Sequence, residues 1–223
     1  MRIGFTGISG WIGGYISKFL FNEKHDIIKL DKWTRNTIIG LPKGEKPKID
    51  WAFHFGASTS IDNSFSNPFD FYQNNINSTL KLLQIVKDSS AKLVFMSSYL
   101  YGIPKYLPID EKHSISTINP YISSKFLSEQ ICIEICKQLE VDFVIFRLFN
   151  VYAPGVCRGR LISDLIESGT KGHPFNLNDP LPKRDYLYVK DLAHLLTIFI
   201  ENGINKSGEI KWSSVSIMRI NTS

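Results

Sequence analysis

Short apolar runs rich in β-branched and aromatic residues alternate along this chain with longer segments whose apolar side chains recur at helical spacing. The runs "RIGFTG" (2–7), "DIIKLD" (26–31), "WAFHFGA" (51–57), "AKLVFMSS" (91–98) and "DFVIFRLF" (142–149) predict strands. "WIGGYISKFLFNE" (11–23), the stretch from Pro68 to Asp88 and the stretch from Pro120 to about Leu139 predict helices. Strands interleaved with helices of this length imply βαβ crossovers and a parallel sheet. The strands are apolar almost throughout, as in a sheet covered on both faces. Residues 32–50 are polar and broken by Pro42 and Pro47, which predicts mostly loop. Beyond Asn150 the pattern loosens: "VYAPGVCRGR" reads as loop, "LISDLIESG" as a short helix and "HPFNLNDPLPKR" as a proline-broken stretch. "DYLYVKDLAHLLTIFIENG" then resumes a strand and a helix.

Composition adds little to this picture. The 223 residues are 43% hydrophobic and 21% charged with a net charge of +5, ordinary values for one substantial core. No Lys/Arg run is dense enough to argue for nucleic acid, and no apolar stretch is long enough to span a bilayer. The N-terminus reaches glycine too soon for a signal peptide, and three cysteines do not suggest a disulfide framework. A reduced, cytoplasmic protein is expected. Cys132 and Cys136 lie one helical turn apart without a third ligand beside them, so no metal site is expected. There is no Gly-Lys dipeptide for a P-loop, no His-Glu-x-x-His and no Gly-x-Ser-x-Gly elbow. His54, on an apolar strand, reads as a core histidine.

The first chemical signal is "GFTGISGWIGG", with glycines at 7, 10 and 13 between a strand and a helix. A tight turn needs one residue without a Cβ, close approach of a pyrophosphate needs another, and helix-on-strand packing needs a third. The helix N-terminus, including Trp11 and Ile12, then offers free N–H groups to phosphate. The next strand ends in Asp31, placed to accept from an adenosine ribose and to favour NAD over NADP.

Three Tyr-x-x-x-Lys matches occur. Tyr101–Lys105 spans Pro104 and cannot be regular helix, and Tyr186–Lys190 lies in a strand pattern. Only Tyr121–Lys125 follows a capping asparagine and a first-turn proline, Asn119 and Pro120, putting both side chains on one helical face. A lysine so placed can hold a nicotinamide ribose and lower the tyrosine pKa, giving a base near neutral pH. Ser97 and Ser98 end the preceding strand, and alternation lets only one of them face the site.

Taken in order, "TGISGWIG", the Asp31 strand end, "HFGAS", "YQNNINSTLKLL", "VFMSSYLYG", "YISSK", "RLFNVYAPG" and "RDYLYVKDLA" resemble the extended short-chain dehydrogenase/reductases, the NAD-dependent nucleotide-sugar epimerases and dehydratases. The resemblance covers about residues 1–200. It implies a Rossmann-like doubly wound α/β fold, with residues 1–150 binding NAD and residues 151–223 forming a small partial substrate lobe, of which 184–202 pack back on the first domain. It makes Tyr121 the acid/base, Lys125 the ribose holder and Ser97, rather than Ser98, their partner. Phe55, Gly56, Ala57 and Asn74 would line the cofactor alongside Gly7, Gly10, Trp11, Ile12, Gly13 and Asp31. Asn150 and Arg184 would contact a nucleotide-diphosphate sugar, Arg184 at the diphosphate, where a planar guanidinium can bind bidentately.

In this family dehydratases carry an acidic pair after the serine/threonine; here Ser98 and Tyr99 stand there, which favours a 4-epimerase, with a keto-sugar reductase as the alternative. The family also commonly dimerises through a four-helix bundle, and Leu80, Leu83, Ile131 and Ile135 suggest a second apolar face for it. Two departures are expected to matter. Residues 32–50 are too short for the helix and strand the family usually places there, and the family continues well past residue 203, implying a shortened substrate lobe. A dinucleotide-binding protein with little catalysis is therefore the third expectation.

Overall fold

The computed structural model describes residues 1–34, 47–153, 160–177, 180–181, 183–203 and 215–220. Its strands are β1 (Arg2–Thr6), β2 (Asp26–Lys29), β3 (Trp51–His54), β4 (Lys92–Ser98), β5 (Phe143–Leu148), β6 (Asn150–Tyr152), β7 (Tyr186–Tyr188) and β8 (Val215–Ile220). The helices are α1 (Trp11–Asn22), α2 (Asp31–Thr34), α3 (Ile61–Ser66), α4 (Pro68–Ser89), α5 (Pro120–Gln138), α6 (Leu161–Lys171) and α7 (Val189–Asn202). The main sheet runs β2-β1-β3-β4-β5-β8. All pairs from β2 to β5 are parallel, as the interleaving of strands and helices implies, and β8 joins antiparallel at the edge of β5. The strand β7 lies where "DYLYVKDLA" predicts one, whereas the strands β6 and β8 and the helix α3 are additions that the sequence pattern does not indicate.

Alternation along each strand divides the core into two layers. Val94, Met96, Val144 and Phe146 face α1 and α7, packing with Ile16, Leu20, Leu196 and Phe199. Leu93, Phe95, Phe143 and Ile145 face α4 and α5, packing with Leu82, Ile85, Cys132 and Cys136. Each fully buried phenylalanine contributes roughly 1.5–3 kcal/mol by leaving water. Both described cysteines are free and buried.

The chain passes from β1 outward to β2 and returns across β1 to β3, so the strand order reverses between β1 and β3. Open α/β sheets bind ligands in the crevice beyond such a reversal. Among the described residues only the four-residue α2 stands between β2 and β3, and β2 is the sheet edge. Leu83 departs from its expected role: it is 3% exposed, within the core, whereas Leu80 is exposed and Ile131 and Ile135 pack partly buried against that core.

Candidate active site

The glycine turn is built from backbone alone. Gly7 has φ +74°, and a Cβ there would lie 2.6 Å from the Gly56 nitrogen; one at Gly13 would lie 2.4 Å from the Gly7 carbonyl oxygen. Gly10 differs, since its Cβ would meet only Gly7 O at 3.2 Å and otherwise project into open space. A side chain at Gly10 would thus fill the front of the turn without breaking it. Gly10 caps α1 with no side-chain bond and no acid occupies the first turn, so the N–H groups around Trp11, Ile12 and Gly13 are left for an anion. These residues fit a dinucleotide pyrophosphate.

Asp31 is buried and accepts from Gly7 N at 2.8 Å, tying the β2 end to the turn. A cavity of about 330 Å³ opens beside it, lined among others by Asp31, Thr34, Gly56, Ala57, Asn74 and Asn77. Four residues expected at the cofactor therefore meet in one cavity. Phe55 is placed differently: its ring stacks on Phe5 at 5.8 Å in the core, and its backbone, packed behind Gly7, faces the turn.

A buried hydrogen-bond chain supports the cavity floor. Gly56 N donates to Thr6 Oγ1 (3.0 Å), and Thr6 pairs with His54 Nδ1 (2.6 Å). His54 Nε2 pairs with Thr79 Oγ1 (3.0 Å), which donates to Asn75 O (2.8 Å). Burial, with the Lys125 charge beside it, pushes His54 down to about 3, so the imidazole is neutral. Asn75, adjacent to the expected Asn74, is the buried one. Its amide accepts from Ser58 N at 2.7 Å and donates to Ser124 Oγ at 2.8 Å, joining the cofactor side to α5.

Helix α5 begins as its sequence dictates: Asn119 Oδ1 accepts from Ile122 N at 2.8 Å and Pro120 opens the first turn. This puts Tyr121 at the sheet's C-terminal edge and Lys125 one turn deeper. Lys125 is 4% exposed, with Nζ 4.4 Å above the Phe95 ring; burial lowers its pKa to about 8, against the raising influence of Cys132 and Glu129. Tyr121 also departs from expectation. Burial holds its pKa above the usual phenol value, while a hydrogen bond from Ser98 and the Arg160 charge pull it down. The cation that opposes burial at Tyr121 is thus Arg160.

The two serines also lie differently from the expectation. Ser97 faces α5 below the edge and donates to the buried Glu129 carboxylate at 2.9 Å. Ser98, on the opposite face of β4, bonds Tyr121. The reason is strand alternation, because Ser97 shares its face with Phe95 and the α4–α5 layer.

On the other wall, Asn150 is exposed and its amide donates to Asp185 O at 3.1 Å, fastening β6 to the approach of β7. Arg184 is exposed and its charge lowers the pKa of Tyr99, which burial raises. Tyr99, which follows Ser98 at the end of β4, stacks edge-on against Phe149 at 5.1 Å. Arg160, just before α6, lies 5.5 Å above the Trp11 ring while acting on Tyr121, spanning the two walls. No local sequence signal marks Arg160, because its partners are remote in the chain. Asn75 and Glu129 were legible in principle, the first as the second asparagine of "NNINST", the second as an acid on the buried face of "YISSKFLSE". Among the described residues no group of three or more His, Cys, Asp or Glu could hold a metal ion, and no helix is long and apolar enough to cross a membrane.

With cradle, cavity and tyrosine in place, comparison with known proteins is decisive. The model of the NAD dependent epimerase/dehydratase family matches residues 3–211. The chain belongs to that family. It is 30% identical to a UDP-glucose 4-epimerase of Lactobacillus helveticus, over 93% of this chain and 74% of that protein. It is 30% identical to a putative UDP-glucose 4-epimerase of Methanocaldococcus jannaschii, over 95% and 78% of the two chains. Among solved structures, the UDP-glucose 4-epimerase of Thermotoga maritima with UDP-glucose superposes with a TM-score of 0.78 at 22% identity, covering 91% of this chain and 74% of that one. The Thermus thermophilus UDP-glucose 4-epimerase complex with NAD gives 0.74 at 21% identity, covering 89% and 74%. The NAD-dependent NDP-hexosamine 5,6-dehydratase TunA gives 0.77 at 22% identity, covering 90% and 72%. At these identities the structures establish the fold. Family membership makes the chain an NAD-dependent enzyme of the epimerase/dehydratase type.

Proposed function

We propose that this enzyme is a nucleotide-sugar 4-epimerase that oxidises and re-reduces C4 of a nucleoside-diphosphate sugar. The observation carrying this reading is the meeting of Tyr121 and Ser98 at the sheet edge beside the glycine cradle, with Lys125 one turn below. The two relatives at 30% identity, named as UDP-glucose 4-epimerases, support it. So does the lack of a carboxylate directly after the serine, whether the pair is counted from Ser97 (Ser98 and Tyr99) or from Ser98 (Tyr99 and Leu100), where dehydratases of this family carry one.

The turn of Gly7, Gly10, Trp11, Ile12 and Gly13 would hold the NAD pyrophosphate, Asp31 the adenosine ribose, and Gly56, Ala57 and Asn74 the cavity wall beside it. When bound, NAD supplies a hydride acceptor for the sugar carbon. Tyr121 would remove the C4 hydroxyl proton as its phenolate, the form that the Ser98 hydrogen bond and the Arg160 charge favour against burial. Lys125 presents an ammonium on the same helix face. Tyr121 then returns the proton once the keto-sugar has turned over in the site. Arg184 reaches the diphosphate from the opposite wall and Asn150 holds that wall in register. A homodimer through α4 and α5 is proposed with the exposed Leu80 and Leu127 at its seam.

The test is incubation of the purified chain with NAD and UDP-galactose. Conversion to UDP-glucose without net NADH formation is expected. Consumption of stoichiometric NADH with a 4-keto-sugar nucleotide, and no action on UDP-galactose, would assign a reductase; binding of NAD with neither reaction would leave a dinucleotide-binding protein.

A further inference from the structure

Beneath the catalytic helix lies a charged cluster that the proposed reaction does not use. Glu129 is 0% exposed and Arg147 3% exposed. Arg147 Nε donates to both Glu129 oxygens at 3.1 Å, and its Nη2 makes a further, shorter bond to Oε1. Ser97 Oγ donates to Oε2 at 2.9 Å. Arg147 Nη1 donates to the Tyr101 hydroxyl at 2.9 Å. One carboxylate thus gathers α5, β4, β5 and the segment after β4.

Stability alone is a poor reason for such a cluster. Replacing a buried ion pair by well-packed apolar residues is often neutral or stabilising, because desolvating two charges offsets most of their attraction. What the cluster does supply is direction. Ser97 and Ser98 are neighbours on one strand and must face opposite ways. Holding Ser97 down on Glu129 therefore holds Ser98 up, toward Tyr121. Glu129 also lies on the helix face that carries Lys125 one turn earlier and Tyr121 two turns earlier.

We infer that Glu129 is a positioning residue of the reaction: through Ser97 it fixes the end of β4 so that Ser98 meets Tyr121, and it places a carboxylate one helical turn from Lys125 on the same helix face. The inference rests on the epimerase reading for its kinetic consequence, but not for its structural one. Lys125 is faced by Glu129 and Cys132 from its own helix and by His54 from β3; Glu129 is faced by Arg147 from β5 and Ser97 from β4. Of these, Glu129 is the carboxylate, ion-paired with Arg147, while burial raises the Cys132 thiol well above its usual value. Removing the Glu129 charge must therefore lower the Lys125 pKa below its value of about 8.

The experiment compares Glu129→Gln and Ser97→Ala with the parent chain by UDP-galactose kinetics with NAD and by NMR titration of ¹⁵Nζ-labelled lysine. For Glu129→Gln, kcat falls on the order of 100-fold with KM nearly unchanged, the scale of a displacement of about 1 Å at the reacting groups. Its Lys125 midpoint and the alkaline limb of its pH profile both move down. Ser97→Ala loses kcat by about 10-fold while the Lys125 midpoint stays in place, since the charge remains and only its link to β4 is cut. A merely structural role would lower thermal stability without separating the two variants in this way. The inference is overturned if folded Ser97→Ala retains kcat within twofold, or if Glu129→Gln leaves the Lys125 midpoint unmoved. Should Glu129→Gln fail to fold, Ser97→Ala decides. Should the parent chain not turn over UDP-galactose at all, the epimerase reading fails, and the Lys125 titration alone decides this one.

Discussion

The two walls of the cleft are made differently. On the cofactor wall, β1, the glycine turn, α1 and the β3 end hold one another by backbone contacts at the limit of close approach, with Asp31 and the Thr6–His54–Thr79 chain buried behind them. On the opposite wall, Asn150, Arg160 and Arg184 are exposed, and α6 has no buried residue. The first wall has no freedom to be built another way, whereas the second leaves its charged side chains at the surface. Under the proposed 4-epimerase reading, a site that holds one cofactor and admits a sugar that turns over within it gains from that asymmetry: rigidity where binding is constant, latitude where the substrate moves.

The sharpest way to break the comparison is at the residue that serves both walls. Tyr121→Phe should reduce kcat by at least about 10³-fold while NAD binding persists, measured by stopped assays and calorimetry; comparable kcat would remove the tyrosine from the chemistry. The next largest effect belongs to the packed wall. Gly13→Ala places a Cβ 2.4 Å from a backbone oxygen that cannot yield cheaply, and a loss of about 3 kcal/mol in urea unfolding is expected. Acid should then act through His54. Its folded pKa of about 3 lies below the unfolded value of 6.5, so the unfolded chain takes up the proton first. The contribution of the neutral ring is complete above pH 6.5 and is lost as pH falls from there toward 3, at about 1.4 kcal/mol per pH unit for this one group. His54→Asn should flatten that part of the stability curve. The smallest effect has the opposite sign: at Gly169, in α6, an added methyl would have nothing within 4 Å, and Gly169→Ala should stabilise by about 0.5–1 kcal/mol through helix propensity, read as a higher urea midpoint.

The same contrast explains what could be read from the amino-acid sequence. Strand, glycine spacing, helix and Asp31 form a local pattern with one steric solution, and the chain adopts it. Asn119 and Pro120 likewise announce the start of α5 and so the place of Tyr121 and Lys125. The choice between Ser97 and Ser98 was not legible, because spacing from Tyr101 favours the former while the buried charge of Glu129, on another element, claims it for the layer below. The ionisation of Tyr121 escapes the sequence for a similar reason: burial dominates it, and the cation that acts on it, Arg160, comes from a segment with no local signature. The strand β8 lies in a stretch with no clear alternation and is defined by its pairing with β5. Contacts between distant segments are where sequence pattern stops informing.

The measurement that tests the account most directly is calorimetric titration of the purified chain and of Gly10→Asp with NAD. Because a Gly10 side chain meets only one backbone atom and otherwise projects forward from the turn, the variant should keep its fold while placing a carboxylate where the pyrophosphate sits. Micromolar NAD binding to the parent chain, lost in a Gly10→Asp protein of nearly unchanged melting temperature, is the predicted result. No binding to the parent chain, or equal binding to both, would contradict the cradle on which the whole reading stands.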